Sequence, residues 1–211
     1  MIVKKARFVR SMSAFEPFPE QGMPEIAIVG KSNVGKSSLI NALTRNSKLA
    51  HTSSEPGKTR LINLYMVNEE FLLADLPGYG FAKASKKEKQ KWAGMIEGYL
   101  CGSDNLRHVF QLVDIRHAPT ADDQMMVEYL RHYGIPFTVV ATKADKLSKA
   151  QRGRNIPLIC RTLSVQPWEV LVHSSKDGTG SEALLGSIEA LLNQAPVKPD
   201  GDTAEAAETI E

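Results

Sequence analysis

Two cysteines, Cys101 and Cys160, are all that this chain of 211 residues contains, and neither belongs to a CxxC pair or sits at a metal-like distance from a histidine. A disulfide framework is therefore excluded, and both are expected as small hydrophobes in a reducing compartment. No run approaches the roughly 18–20 apolar residues that cross a bilayer. Residues 1–20 carry scattered charges and no apolar core ahead of a small-residue cleavage site, so no secretory signal is read there and a cytoplasmic protein is expected. No internal repeat is visible. The five histidines (His51, His108, His117, His132 and His173) are dispersed, none beside a candidate nucleophile. A general base is thus not evident, and a reaction at this protein would use water as the attacking group. Aromatics are sparse at 7%, and none is interleaved with lysines as in an RNA-recognition motif.

Charge of one sign is also missing overall, since the net value is +2. The balance hides an asymmetry. Residues 195–211 hold five acids and one base, a net −4 that leaves +6 on the remainder. Prolines, a glycine and no aromatics mark that stretch as an acidic, disordered tail. The organisation expected is an N-terminal extension over 1–22, one domain over 23–194 and the tail over 195–211.

Within the domain, apolar runs alternate with amphipathic ones. Strands are read at 24–30, 61–67, 71–75, 106–114, 135–142 and 169–173, and helices at 37–45, 85–100, 121–133, 148–164 and 181–193. Pro157 obscures the centre of the fourth helix. This alternation predicts an α/β fold with a mostly parallel sheet covered by helices on both faces. Such sheets bind ligands at the carboxyl ends of their strands.

The motifs fall at those ends. Gly30-Lys31-Ser32-Asn33-Val34-Gly35-Lys36-Ser37 matches GxxxxGK[ST] between an apolar strand and a helix that begins around Ser37 and Ser38. Glycines let backbone N–H groups converge on phosphate oxygens, and the helix N-terminus adds its dipole. Lys36 reaches the outer phosphates and the Ser37 hydroxyl suits Mg²⁺. Asp75-Leu76-Pro77-Gly78 reads as DxxG, with Asp75 holding Mg²⁺ through water and the Gly78 N–H sensing the γ-phosphate. An Asp-x-Pro-Gly turn after a strand is the plain alternative. Between the two motifs, a threonine must ligate Mg²⁺ only when the γ-phosphate is present. Thr59 is chosen for its place before the next strand, beside Gly57 and Lys58, with Thr52 as its competitor.

Thr142-Lys143-Ala144-Asp145 follows the most apolar strand and matches [NT]KxD. The Asp145 carboxylate can accept from guanine N1–H and the exocyclic amine, whereas adenine would leave a buried charge unpaired. The Lys143 stem can lie along the base. Ser174 and Ser175, after the last strand, occupy the loop whose backbone N–H would meet guanine O6. In this order the motifs predict a P-loop GTPase domain that binds GTP and GDP.

Taken together, GKSNVGKSSLIN (30–41), PGKTRLINLY (56–65), DLPGYGFA (75–82), the stretch around VDIRHAPTADD (113–123), TKADKLSK (142–149) and HSSKDGTG (173–180) resemble the bacterial EngB (YihA, YsxC) GTPases of the TrmE–Era–EngA–EngB group. The resemblance covers about residues 5–194. It implies a monomeric GTPase that assists assembly of the large ribosomal subunit, with ribosomal RNA and proteins as partners and no membrane. It also implies a K⁺ site at Asn33, where a cation would stabilise charge between the β- and γ-phosphates; an Asn that braces the loop is the alternative. TKAD in place of NKxD is a departure that alters the residue supporting the loop.

Many GTPases place a Gln directly after DxxG. Here Tyr79 stands there, which predicts slow intrinsic hydrolysis. Lys83, Lys86, Lys87, Lys89 and Lys91 follow, either as a solvated helix face or as a phosphate-contacting surface that Arg7, Arg10, Arg152, Arg154 and Arg161 could extend. Trp92 is expected to anchor that helix in the core. A guanine-nucleotide sensor with incidental turnover and a P-loop enzyme of small-molecule metabolism are the other functions weighed.

Overall fold

The computed structural model describes residues 1–17, 22–50, 61–80 and 85–196, apart from the side chains of Lys86 and Lys89. In chain order the elements are β1 (Ala6–Met12), β2 (Glu25–Gly30), α1 (Lys36–Leu43), β3 (Ile62–Val67), β4 (Phe71–Asp75), α2 (Lys86–Gly102), β5 (Leu106–Asp114), α3 (Ala121–His132), β6 (Phe137–Thr142), α4 (Lys149–Leu163), β7 (Val170–Val172) and α5 (Ser181–Leu192). The strands form one sheet in the order β1-β3-β4-β2-β5-β6-β7. From β4 to β7 it is parallel, while β3 runs antiparallel to both β1 and β4.

The period of two along β2 sorts its side chains between the two faces. Ala27 and Val29 pack with Trp92, Met95, Ile96 and Tyr99 of α2 and Leu130 of α3. Ile26 and Ile28 pack with Leu39, Ile40 and Leu43 of α1 and Leu184, Ile188 and Leu191 of α5. Continuing the first face, α4 contributes Ile159 and Leu163 against Val139 and Ala141 of β6. Burial on both faces explains why the central strands read as continuous apolar runs. Trp92 is a core residue, as expected.

One feature differs from the sequence reading. The stretch 1–22, expected as an extension, contributes β1, which runs from Ala6 opposite Val67 to Met12 opposite Ile62. Its arginines disguise it, because an edge strand keeps one side in water and tolerates charge. Pro157 does not interrupt α4. It lies on the exposed face, where water can satisfy the Gly153 carbonyl that loses its partner. Residues 197–211, most of the acidic tail, lie outside the described residues.

Candidate nucleotide site

Carboxyl ends of β2, β4, β6 and β7 gather the motifs into one region. At the first, Gly30 leaves β2 under tight constraint, since a Cβ there would meet the Leu112 carbonyl oxygen and Val34 Cγ1, both at 2.9 Å. The chain then turns through Asn33 (φ 63°) and Gly35 (φ 115°) into α1. Asparagine enters the left-handed region at low cost, which gives Asn33 a backbone reason to be there. Its exposed side-chain amide makes no hydrogen bond among the described residues, so the bracing role weighed for it is not seen. Ser37 and Ser38 occupy the first turn of α1.

Lys36 is buried at 8% exposure and Asp75 at 1%. Burial pushes the Asp75 carboxyl up to about 6, against the pull of Lys36, and lowers the Lys36 ammonium, which Asp75 in turn supports. Asp75 Oδ1 has no hydrogen-bond partner among the described residues. A buried carboxylate oxygen without a donor is a fitting ligand for a hard cation. Among the described residues no cluster of three or more His, Cys, Asp or Glu could hold a metal. A cation here would rest on Asp75, the Ser37 hydroxyl and ligand oxygens, the sparse protein shell that suits Mg²⁺.

Gly78 lies directly over this pair. A Cβ at Gly78 would come within 3.1 Å of Lys36 Nζ and 3.1 Å of Ser32 Cα. The Tyr79 carbonyl accepts from the Ser32 amide at 2.9 Å, and Lys31 and Tyr79 form a parallel bridge. The DxxG turn is thereby clasped to the P-loop by its backbone. The Tyr79 side chain points elsewhere: its hydroxyl donates to Asp123 Oδ1 at 2.8 Å and accepts from the Gln111 amide. Asp123 Oδ2 in turn accepts from the Thr120 amide and hydroxyl, so Tyr79 is tied to the start of α3.

The base motif is cross-linked to the P-loop. Thr142 Oγ1 contacts the Val34 carbonyl at 2.7 Å and the Val113 carbonyl at 3.0 Å. Lys143, with φ 62°, donates from Nζ to the Asn33 carbonyl at 2.7 Å and pairs with Asp114 Oδ2 at 2.9 Å. Arg116 holds the same carboxylate through both Nε and Nη2. Burial works to raise the Asp114 carboxyl, but Arg116 and Lys143 outweigh it and hold it well below the usual range. Asp145 accepts from the Ser174 hydroxyl at 3.1 Å and lies 3.4 Å from Lys146. These two overcome the opposing effect of burial and keep its carboxyl low.

Ser174 is fully buried, and its Oγ also accepts from the Lys176 and Asp177 amides. Ser175 is exposed beside it. Gly180 closes this loop at φ 77°, where a Cβ would fall 1.9 Å from the Val172 carbonyl oxygen. Only glycine fits. A cavity of about 350 Å³ opens between the P-loop and the turn after β5, lined by Lys31, Asn33, Asp114, His117 and Lys143 among others.

The described residues therefore bring together Gly30, Lys31, Ser32, Asn33, Val34, Gly35, Lys36, Ser37, Ser38, Asp75 and Gly78 in one group, with Thr142, Lys143, Asp145, Ser174 and Ser175 adjoining it. Gly57, Lys58 and Thr59, with the competing Thr52, lie outside the described residues. Asp114, Arg116, Gln111 and Asp123 were not singled out for a role. Asp114, Arg116 and Asp123 lie within the VDIRHAPTADD stretch and Gln111 just before it, but the links of Asp114 to Lys143 and of Gln111 and Asp123 to Tyr79 span 29 to 44 residues and leave no local signal.

A family model described as 50S ribosome-binding GTPase matches residues 25–143. The probable GTP-binding protein EngB of Bacillus subtilis (strain 168) is 46% identical over 195 residues, covering 92% of this chain and all of that one. The chain belongs to the EngB family. It is a GTPase, with GTP and GDP as its ligands. The EngB of Clostridioides difficile (strain 630) is 46% identical over 195 residues, 92% of this chain and 96% of that protein. A crystal structure of a probable EngB superposes with a TM-score of 0.67 at 25% identity, covering 80% of this chain and 98% of the other. Era of Aquifex aeolicus, solved with GDP and AlF4⁻, shares the fold at a TM-score of 0.65 and 23% identity, over 83% of this chain and 58% of that one. Among the described residues no helix is long and apolar enough to cross a membrane.

Proposed function

We propose that this EngB-family GTPase is a slow molecular switch whose GTP form binds the large ribosomal subunit or its precursors and whose hydrolysis releases it. The observation that carries the switch is the clasp of Gly78 and Tyr79 over the buried pair Lys36 and Asp75, since a γ-phosphate entering beside Lys36 must engage the DxxG backbone. The ribosomal half rests on family membership and on the 50S ribosome-binding description of the matching model.

In this reading the backbone amides from Asn33 to Ser38 cradle the phosphates, and Lys36 neutralises charge on the outer two. Ser37, Asp75 and Thr59 hold Mg²⁺, which when bound neutralises charge developing on the phosphate oxygens. The Gly78 amide reports the γ-phosphate. Asp145 selects guanine, with Lys143 along the base and the Ser175 amide at O6. Asn33 offers its free amide oxygen to K⁺. Turnover is slow because the one side chain placed where a water-orienting Gln usually stands, Tyr79, is committed to Gln111 and Asp123. The protein acts as a monomer in the cytoplasm.

Co-sedimentation with purified large ribosomal subunits tests this, comparing a non-hydrolysable GTP analogue with GDP across a salt series. Binding that is tighter with the analogue than with GDP and weakens with salt is expected. Equal binding in both nucleotide states, or none at low salt, would remove the ribosomal role and leave the GTPase. Comparing GTP turnover in KCl and NaCl at equal ionic strength tests Asn33, and equal rates would sink the K⁺ site. The commitment of Tyr79 also favours a second reading, a guanine-nucleotide sensor with incidental turnover, which predicts rates indifferent to both ribosomal particles and K⁺.

A further inference from the structure

Helix α4 carries Lys149, Arg152, Arg154 and Arg161 and no acidic residue. Arg152 is turned inward, its Nε donating to the Leu147 carbonyl at 3.1 Å, and it faces Asp177. Arg154 and Arg161 are exposed and seven residues apart, two helical turns, so they share one face about 10 Å apart along the axis. At the lower end of that face, Arg131 of α3 is also exposed and donates to the Ser164 carbonyl, one residue past α4, at 2.6 Å. The chain then makes a short 3-10 turn, Pro167–Glu169, which packs against α4 and holds Trp168 with 78% of its surface exposed. Glu169 is turned to the Gln166 amide at 2.6 Å. This end of α4 adjoins the amino end of β7, the pole of the sheet opposite the P-loop.

An exposed indole on a short turn that packs against the arginine-bearing helix has no use in packing. Arginine takes phosphate through its planar fork, and an indole stacks on any base. We propose that Arg154, Arg161, Arg131 and Trp168 form a docking surface for single-stranded RNA, with the arginines on the phosphates and Trp168 against a base. The choice of RNA over DNA rests on the ribosomal reading above; the stacking and phosphate chemistry does not. An acidic protein would satisfy the arginines but leave the indole in water. Because the surface lies away from the P-loop and the Gly78 clasp, it binds equally in both nucleotide states, unlike the ribosomal contact tested above.

The test uses the full chain loaded with GDP or with a GTP analogue and a labelled mixed-sequence RNA 12-mer, with a DNA 12-mer, heparin and a polyglutamate peptide as comparisons. Trp92 is buried, so RNA is expected to quench the emission of Trp168 alone, and W168F to abolish the quench while retaining affinity. W168A should weaken RNA binding about tenfold and leave heparin unaffected. R154E/R161E should weaken both by more than tenfold and flatten the salt dependence, which for single strands is about 0.7 log units per phosphate per decade of salt. GDP affinity in these variants checks that the fold is intact. RNA affinity unchanged in R154E/R161E, no quench, or tighter binding of polyglutamate than of RNA would overturn the proposal. DNA bound as tightly as RNA would confine it to single-stranded nucleic acid in general and overturn the choice of RNA. Loss of RNA binding with subunit co-sedimentation retained separates this surface from the nucleotide-dependent contact.

Discussion

The Lys143 ammonium lies 2.9 Å from Oδ2 of Asp114 while donating to the Asn33 carbonyl at 2.7 Å, so one lysine joins β5, the base motif and the P-loop. Replacing Asp114 with Asn removes the charge that holds this lysine in place. The pair is partly exposed, which keeps its worth near 1 kcal/mol. GDP dissociation, followed by stopped flow with a fluorescent analogue, is expected to quicken about fivefold, and an unchanged off-rate would show that Asn33 alone positions Lys143.

Asp145 is held ionised by Ser174 and Lys146. Asp145→Asn should weaken GTP binding and shift preference toward xanthine nucleotides, whose O2 accepts where guanine donates. Competition between GDP and XDP reads this directly. A variant still preferring guanine would refute the assignment of the base site.

Thr142→Val keeps the shape of a fully enclosed side chain and deletes one hydroxyl shared by the Val34 and Val113 carbonyls. A loss of about 1–3 kcal/mol in denaturant unfolding is expected, together with weaker nucleotide binding because Val34 belongs to the P-loop. Lost stability with unaltered GDP affinity would mean that the P-loop holds its shape without Thr142.

Tyr79→Phe retains the ring and severs the link to Asp123 and Gln111. Stability should fall by about 1 kcal/mol, while single-turnover GTP hydrolysis changes by less than about threefold. A fall of a hundredfold would place the hydroxyl on the attacking water instead.

Two buried histidines set the acid limit of the nucleotide-free protein. His108 and His173 are lowered by burial to about 4, and Nδ1 of each lacks a partner among the described residues. Their unfolded value is near 6.5. The unfolded chain therefore binds more protons between these values, and stability present above about pH 6.5 is lost as pH falls toward 4, by roughly 2–3 kcal/mol per histidine. Asp75, raised to about 6, runs the opposite way between about pH 4 and 6 and offsets part of the loss. Urea unfolding from pH 7 to 4.5 should show a net fall that His108→Gln and His173→Gln each reduce.

Much of this was legible without coordinates. P-loop, DxxG and base motifs are contiguous, and each sits where an apolar run ends, so local pattern located them and predicted the parallel sheet. Strand 106–114 was read with the bounds it has, because a fully buried strand writes its limits in continuous hydrophobicity. β1 is hidden for the converse reason: Arg7 faces water along an edge, Arg10 turns to the Glu16 and Pro17 carbonyls, and nothing local distinguishes such a strand from a loop. Pro157 spoke against a helix that tertiary packing of Ile159 and Leu163 holds together.

The family, the order of the motifs and the residue types offered to a guanine nucleotide follow from short-range spacing along the chain. Side-by-side packing of distant elements sets the rest: Asp114 restrains Lys143 across 29 residues, Tyr79 is spent on Gln111 and Asp123, and Arg131 of α3 reaches the Ser164 carbonyl at the end of α4. Those pairings depend on which strands and helices lie side by side. No local propensity encodes that adjacency, because it comes from burying two faces of one sheet at once.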